Sequence, residues 1–154
     1  MLQKMFVSKS GKRNMRRVFL DTSAILAGLN SPTGAAGVIL AACFAGRIKP
    51  VISRQVVDEA ERIIPLKFPD LDTGWVAFLA AEPEMARRPT IHQVRKAYGF
   101  IQTDDAPILA AAILAKPHAL VTWNTRDFMR PAVLEVVGFP ILTPGDFLNW
   151  WRSR

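Results

Sequence analysis

The chain has 154 residues and holds only one cysteine, two histidines and one tyrosine. The lone thiol, Cys43, cannot close an intrachain disulfide, which suits a reducing compartment; its apolar, helical setting marks it as a core residue. One cysteine and two isolated histidines, His92 and His118, cannot assemble a zinc site. There is no GxxxxGK[ST] loop and no GxGxxG turn, so the common phosphate-cradling loops are excluded. No nucleophile elbow is present to carry a serine triad. No run approaches the ~18 apolar residues of a membrane span, and no apolar segment of signal-peptide type follows the N-terminal charges. These absences lead us to expect a cytoplasmic chain that makes no use of a membrane.

Acidic residues are missing from the first 17 positions, which carry Lys4, Lys9, Lys12, Arg13, Arg16 and Arg17. The formal net charge of +7 therefore belongs mostly to this end; the rest of the chain, with 14 basic and 13 acidic residues, is nearly neutral. We expect residues 1–15 to form a basic, flexible tail of a kind that favours polyanions, and residues 16–154 to form a single domain. The composition, 50% apolar and 21% charged, is that of an ordinary globular protein.

Strand and helix signals alternate along the chain. RVFLD, IKPVIS, ALVTW and PILT read as four short strands that are almost wholly apolar. Between them lie an Ala-rich helix from near Gly34 to Gly46, the helix RQVVDEAERII capped by Ser53, and the helices LDTGWVAFLAA, DDAPILAAAILA and RPAVLEVVG. A last helix starts at Thr143 and Pro144. Pro65 and Pro69 are expected to break the chain, and residues 82–102 are poorly patterned, with PTIHQVRKAYGF read as partly extended. Apolar strands separated by helices indicate a parallel sheet covered on both faces, a three-layer α/β/α sandwich. In such folds ligands bind beyond the carboxyl ends of the strands.

That edge is where the acids gather. VFLDTSAIL drives an apolar strand into Asp21, and a buried charge costs several kcal/mol unless it is paired or metal-bound. Asp58 faces away from the apolar stripe of its helix, while Glu59 and Glu61 flank it on opposite edges, so periodicity cannot choose between them. Asp104 suits an N-cap, which leaves Asp105 in the first helical turn on the face of Leu109 and Ala112. Asp127 follows the third strand in TWNTRDF. Several carboxylates at one mouth repel one another unless a cation lies among them, and hard oxygen donors select Mg²⁺ or Mn²⁺. The chemistry that such a centre suits is phosphodiester hydrolysis. The aromatic residues Trp123, Phe128, Trp150 and Trp151 read as core or interface, and Arg126 as a surface charge able to meet an RNA backbone.

VFLDTSAIL, VVDEAERII, TDDAPILAAAILA and LVTWNTRDF, in this order and spacing, resemble the PIN domain over roughly residues 16–150. The resemblance implies an α/β/α fold and a Mg²⁺- or Mn²⁺-dependent ribonuclease. It implies Asp21, Glu59, Asp105 and Asp127 as metal-binding and catalytic residues, with Asn124 as the alternative to Asp127. Thr22, Ser23 and Thr122 resemble positions that support the ligands or a metal-bound water. Small stand-alone members resemble this chain in size, and many are toxins held by a small antitoxin; the family commonly forms homodimers. RNA, an antitoxin and a second copy of the chain are thus the partners implied. The rival readings are a binding module with this fold and no hydrolysis, and a Mg²⁺ phosphohydrolase acting on small phosphate esters.

Overall fold

The computed structural model describes residues 15–154, so most of the expected basic tail lies outside the described residues. The chain opens with β1 (Arg16–Leu20), α1 (Thr22–Asn30), α2 (Ala35–Phe44), β2 (Ile48–Ile52) and α3 (Arg54–Lys67). A 3₁₀ turn (Pro69–Leu71) leads to α4 (Asp72–Ala80), β3 (Glu84–Met85), α5 (Ile91–Ile101), α6 (Ala106–Ala115) and β4 (Ala119–Val121). The chain ends with α7 (Thr125–Phe128), α8 (Pro131–Val136), β5 (Ile141–Leu142) and α9 (Pro144–Arg152). The five strands form one parallel sheet in the order β3-β2-β1-β4-β5, the core of an α/β/α sandwich.

β1 is the central strand, and its sequence explains why. Val18, Phe19 and Leu20 are all fully buried, so the strand is apolar on both faces and must be covered on both. Each such side chain contributes about 1.5–3 kcal/mol by leaving water. Val18 pairs with Pro50 on one side and Ala119 on the other, and Leu20 with Val121. Pro50 is tolerated inside the sheet because β3 pairs only with Val51 and Ile52, so there is no β3 ladder at Pro50 for it to break.

Arg17 fastens the amino end of this strand. Its Nε donates to Glu84 Oε1 at 2.9 Å and its Nη2 to Glu84 Oε2, reaching past β2 to β3. Its Nη1 donates to the Ala115 and Lys116 carbonyls, which satisfies the carboxyl end of α6. The Arg17 guanidinium holds the Glu84 carboxyl below its usual range. Both side chains are about one-third exposed, so the pair acts as a geometric clasp more than as a large source of stability.

Four local expectations are corrected. Helix α3 runs through Pro65 to Lys67, because Pro65 and Glu61 are exposed and water can satisfy the carbonyl left without its N–H partner. Residues 91–101 are helical rather than extended, with Thr90 and Gln93 forming a reciprocal capping box at the start. The sheet has a fifth strand, β3, only two residues long. Asp105, not Asp104, occupies the N-cap of α6, and it makes no side-chain capping bond there. Cys43, expected in the core, is only partly buried, packed against the core rather than inside it.

Helices α1 and α2 approach closely through two glycines. A Cβ on Gly28 would lie 2.7 Å from Leu40 Cδ1 and 2.8 Å from the Ala36 carbonyl oxygen; one on Gly37 would meet the Pro32 carbonyl. Gly138, by contrast, has open space around it. Gly37→Ala should therefore lower the urea midpoint by an amount equivalent to about 1–3 kcal/mol, while Gly138→Ala leaves it nearly unchanged. Equal midpoints for the two variants would contradict this packing.

Candidate active site

The strand order reverses between β1 and β4, and the crevice beyond their carboxyl ends is the expected ligand position in an open parallel sheet. Asp21 closes β1 there. Its N–H continues the ladder to the Val121 carbonyl at 3.1 Å, and its own carbonyl starts α1 by accepting from Ala24 and Ile25. The side chain stands at the N-cap but makes no capping bond. Its Oδ2 accepts instead from Thr122 Oγ1 at 2.7 Å and from Ser23 Oγ at 3.0 Å.

Those two hydroxyls have one proton each, and both are committed to Asp21. The 3.3 Å contact between them is therefore a contact of lone pairs rather than a third hydrogen bond. As acceptors they take the next two backbone N–H groups of the loop after β4: Trp123 N donates to Ser23 Oγ and Asn124 N to Thr122 Oγ1, each at 2.9 Å. Asn124 in turn donates from Nδ2 to Asp105 Oδ2 at 2.8 Å and to Asp127 Oδ2 at 3.2 Å. Asp21, Ser23, Thr122, Asn124, Asp105 and Asp127 are thus one hydrogen-bonded network. Asn124 and Asp127 are not exclusive alternatives in space, since both belong to it.

Glu59 reaches the same mouth from α3. Of the two glutamates that flank the apolar stripe, Glu59 is half-buried and Glu61 exposed. Asp58 is also exposed and pairs with Arg54 at 3.1 Å. Thr22 is buried, and its Oγ1 has no hydrogen-bond partner within full geometry, though it lies close enough to Glu59 to favour that carboxylate's charge. Asp104, read as a cap, is exposed, and its charge reaches both Glu59 and Asp105. Only its neighbour's position betrayed it, because an acid next to a site residue looks like a cap in sequence. His92 and His118 are both exposed; His118 Nδ1 accepts from the Arg17 N–H on the opposite edge.

The cluster is electrostatically uncompensated. Burial pushes Asp21 up, and the Thr122 and Ser23 hydroxyls and the Thr22 backbone offset only part of that. Burial and the Asp21 charge push Glu59 up, while Arg62 and the Thr22 hydroxyl oppose them. Asp105 is pushed up to about 7 by burial first, and then by the charges of Asp21, Glu59, Asp127 and Asp104. Among the described residues, no three acidic, histidine or cysteine side chains stand close enough to hold an ion as they are placed. The donor set nonetheless fits a hard divalent cation: every group is oxygen, the carboxylates repel one another, and a buried hydroxyl beside them lacks a partner. Closing such a set requires side-chain rotation and no change of fold.

A family model described as a PIN domain matches residues 17–126. No curated protein matches the chain. Among solved structures, PAE2754 from Pyrobaculum aerophilum superposes with a TM-score of 0.61 at 13% identity, covering 90% of this chain and 97% of that one. VapBC2 from Rickettsia felis, crystallised with a DNA fragment from their promoter, superposes with a TM-score of 0.56 at 18% identity, covering 82% of this chain and 98% of that one. At these identities the two structures speak for the fold.

The raised carboxyl values fix the sign of a pH effect. Unfolded, Asp105 has the ordinary value of ~3.9, so between about pH 4 and 7 the folded chain binds more protons than the unfolded one. Stability from this group is fully present below that window and is lost as pH rises through about 7. In chelator, the melting temperature should fall from about pH 5 to about pH 8; Asp105→Asn should flatten the profile, and Mg²⁺ or Mn²⁺ should restore the midpoint at the higher pH. A flat profile for the unaltered chain would show the carboxylates to be independent of one another.

Proposed function

The chain belongs to the PIN domain family, and we propose that it is a divalent-metal-dependent endoribonuclease that works in the cytoplasm. PIN domains are generally nucleases. The observation that carries the reading is the gathering of Asp21, Glu59, Asp105 and Asp127, from four separate segments, at one partly buried mouth where Asp105 is pushed up to about 7. A free-standing cluster of this kind is unfavourable by itself; a Mg²⁺ or Mn²⁺ ion would make it favourable.

In this reading Asp21, Glu59, Asp105 and Asp127 hold the ion. Bound there, the ion supplies neutralisation of phosphate charge and makes water a better nucleophile. The chain's own residues do the positioning. Ser23 and Thr122 fix Asp21 so that its carboxylate does not rotate with each turnover. Asn124 sets Asp105 and Asp127 relative to one another through its amide, and Thr22 offers a buried hydroxyl toward Glu59. Arg126, exposed on α7, is free to meet the RNA backbone. Water attacks phosphorus in line, its oxygen becomes part of the 5′-phosphate, and the P–O3′ bond breaks to leave a 3′-hydroxyl. Such catalysis is mainly orientation and electrostatic stabilisation.

Resemblance to small PIN proteins and the VapBC2 likeness support a further placement, as the toxin of a toxin–antitoxin pair that acts as a homodimer. One observation favours a second reading, an RNA-binding module without hydrolysis: the carboxylates do not stand close enough to share an ion as placed.

A labelled single-stranded RNA should be cut in Mg²⁺ or Mn²⁺, left intact with EDTA, and cut again when metal is restored. Asp21→Asn should lower the rate at least about a hundredfold, the scale on which loss of one preorganised electrostatic group acts, without unfolding the chain. Binding of RNA with no metal-dependent cleavage would favour the module. Rapid turnover of an aryl phosphate with none of RNA would move the enzyme to another substrate class.

A further inference from the structure

The amino edge of the sheet, opposite the carboxylates, carries a second concave site. A cavity of about 560 Å³ opens there. Arg47, Arg152 and Arg154 line it with Trp151, Leu148 and Val38, and no acidic residue contributes to its wall. The topology brings these groups together. Arg47 immediately precedes β2, and α9 starts beside the carboxyl end of β5 and runs back, so its last turn reaches the same edge.

The arginines are held in place. Arg47 Cζ lies 5.0 Å over the Trp151 ring, and Trp151 stacks on the fully buried Phe147 with centroids 6.1 Å apart and planes 16° from parallel. Arg154 Cζ lies 5.3 Å over Trp150, whose ring is 5.7 Å from the same Phe147. Cation–π contact of this kind fixes a guanidinium plane and leaves its N–H edge free. Among the described residues, the ion pairs are Arg17 with Glu84 and Arg54 with Asp58, so none of these three arginines has a carboxylate partner. Three exposed cations in one cavity repel one another and concentrate anions.

We propose that this cavity binds single-stranded RNA, with a nucleobase stacked on the outer face of the Arg47 guanidinium and phosphates bonded by Arg152 and Arg154. The choice of RNA as occupant rests on the nuclease reading; the chemistry of the cavity does not. The ladder Phe147–Trp151–Arg47 ends in a flat cation, which suits the face of an unpaired base. An acidic peptide would use only the N–H edges. A duplex keeps its bases stacked and would offer the cavity backbone alone. β2 has five residues at ~3.3 Å each, so the two edges of the sheet are roughly 17 Å apart. A strand of the length such surfaces usually engage, about 4–16 nucleotides, can touch both.

The test measures binding of a labelled single-stranded RNA of about 12 nucleotides to the full chain in EDTA, by fluorescence anisotropy across a salt series. Arg47→Ala with Arg152→Ala should raise Kd at least about tenfold and reduce the log–log salt slope by about 1.4, the counterion release expected of two cations on a single strand. Arg47→Lys should keep the slope and still weaken binding several-fold, because charge stays and the plane is lost. Melting curves check folding; if the double variant does not fold, Arg47→Ala alone is read in the same way. An unchanged Kd in the alanine variant would overturn the site, and wild-type affinity in Arg47→Lys would overturn the stacking role. Equal competition by polyglutamate of matched charge would overturn RNA as the occupant. If these changes appear but the unaltered chain cuts no RNA in Mg²⁺, the site stands and the nuclease reading falls.

Discussion

A carboxylate at the end of the most buried strand organises this molecule. Asp21 is only 3% exposed, and a charge or even a protonated acid at that depth must be given hydrogen bonds. Two hydroxyls supply them, and because each has a single proton to give, each is left to accept from the chain. What they accept is the backbone of the loop after β4. Satisfying one buried group thereby fixes the entry to α1, the end of β4 and the position of Asn124. Through the Asn124 amide the same chain of bonds extends to the start of α6 and to α7. The mouth is rigid on its Asp21 side because its parts share these bonds, while Glu59, on α3, joins it through charge and burial.

The parts of this arrangement that were legible in the sequence are those a single segment determines. β1, β2 and β4 were readable because strands buried on both faces leave nearly unbroken apolar runs, and Asp21 was readable because it interrupts one. The caps at Ser53 and Thr143 carry their own local signature, and both bond as expected. Helix α5 was not legible: Ala97 and Ile101 are its only fully buried residues, and Ile91 and Tyr98 are left largely exposed, so no apolar stripe marks it. Its capping box was present in the letters and was outweighed by that missing stripe. β3 is too short to have a period at all. The choice between Glu59 and Glu61 could not come from one helix, since it depends on what packs against α3. The linking role of Asn124 depends on two loops meeting, which no local pattern encodes.

Parallel strands also give the molecule a direction. All five carboxyl ends share one edge, so acids that follow strands accumulate there, and the residues that precede strands or end the returning helices accumulate at the other. Here the first edge gathers carboxylates and the second gathers arginines set on indole rings. The unequal charge is therefore a consequence of topology acting on where the sequence puts its acids and bases, with the sheet as the neutral spacer between.

The bond from Thr122 to Asp21 closes across 101 positions of chain. β1 likewise finds β2 early but must wait for β4 to cover its other side. During synthesis, which delivers the amino end first, the early strand and its carboxylate are made long before the hydroxyl and the loop that hold it. A truncated or nascent chain that stops short of β4 has most of its helices and no assembled mouth. Late closure of such a distant contact slows folding, and it also means that the acidic cluster comes into being only with the nearly finished polypeptide.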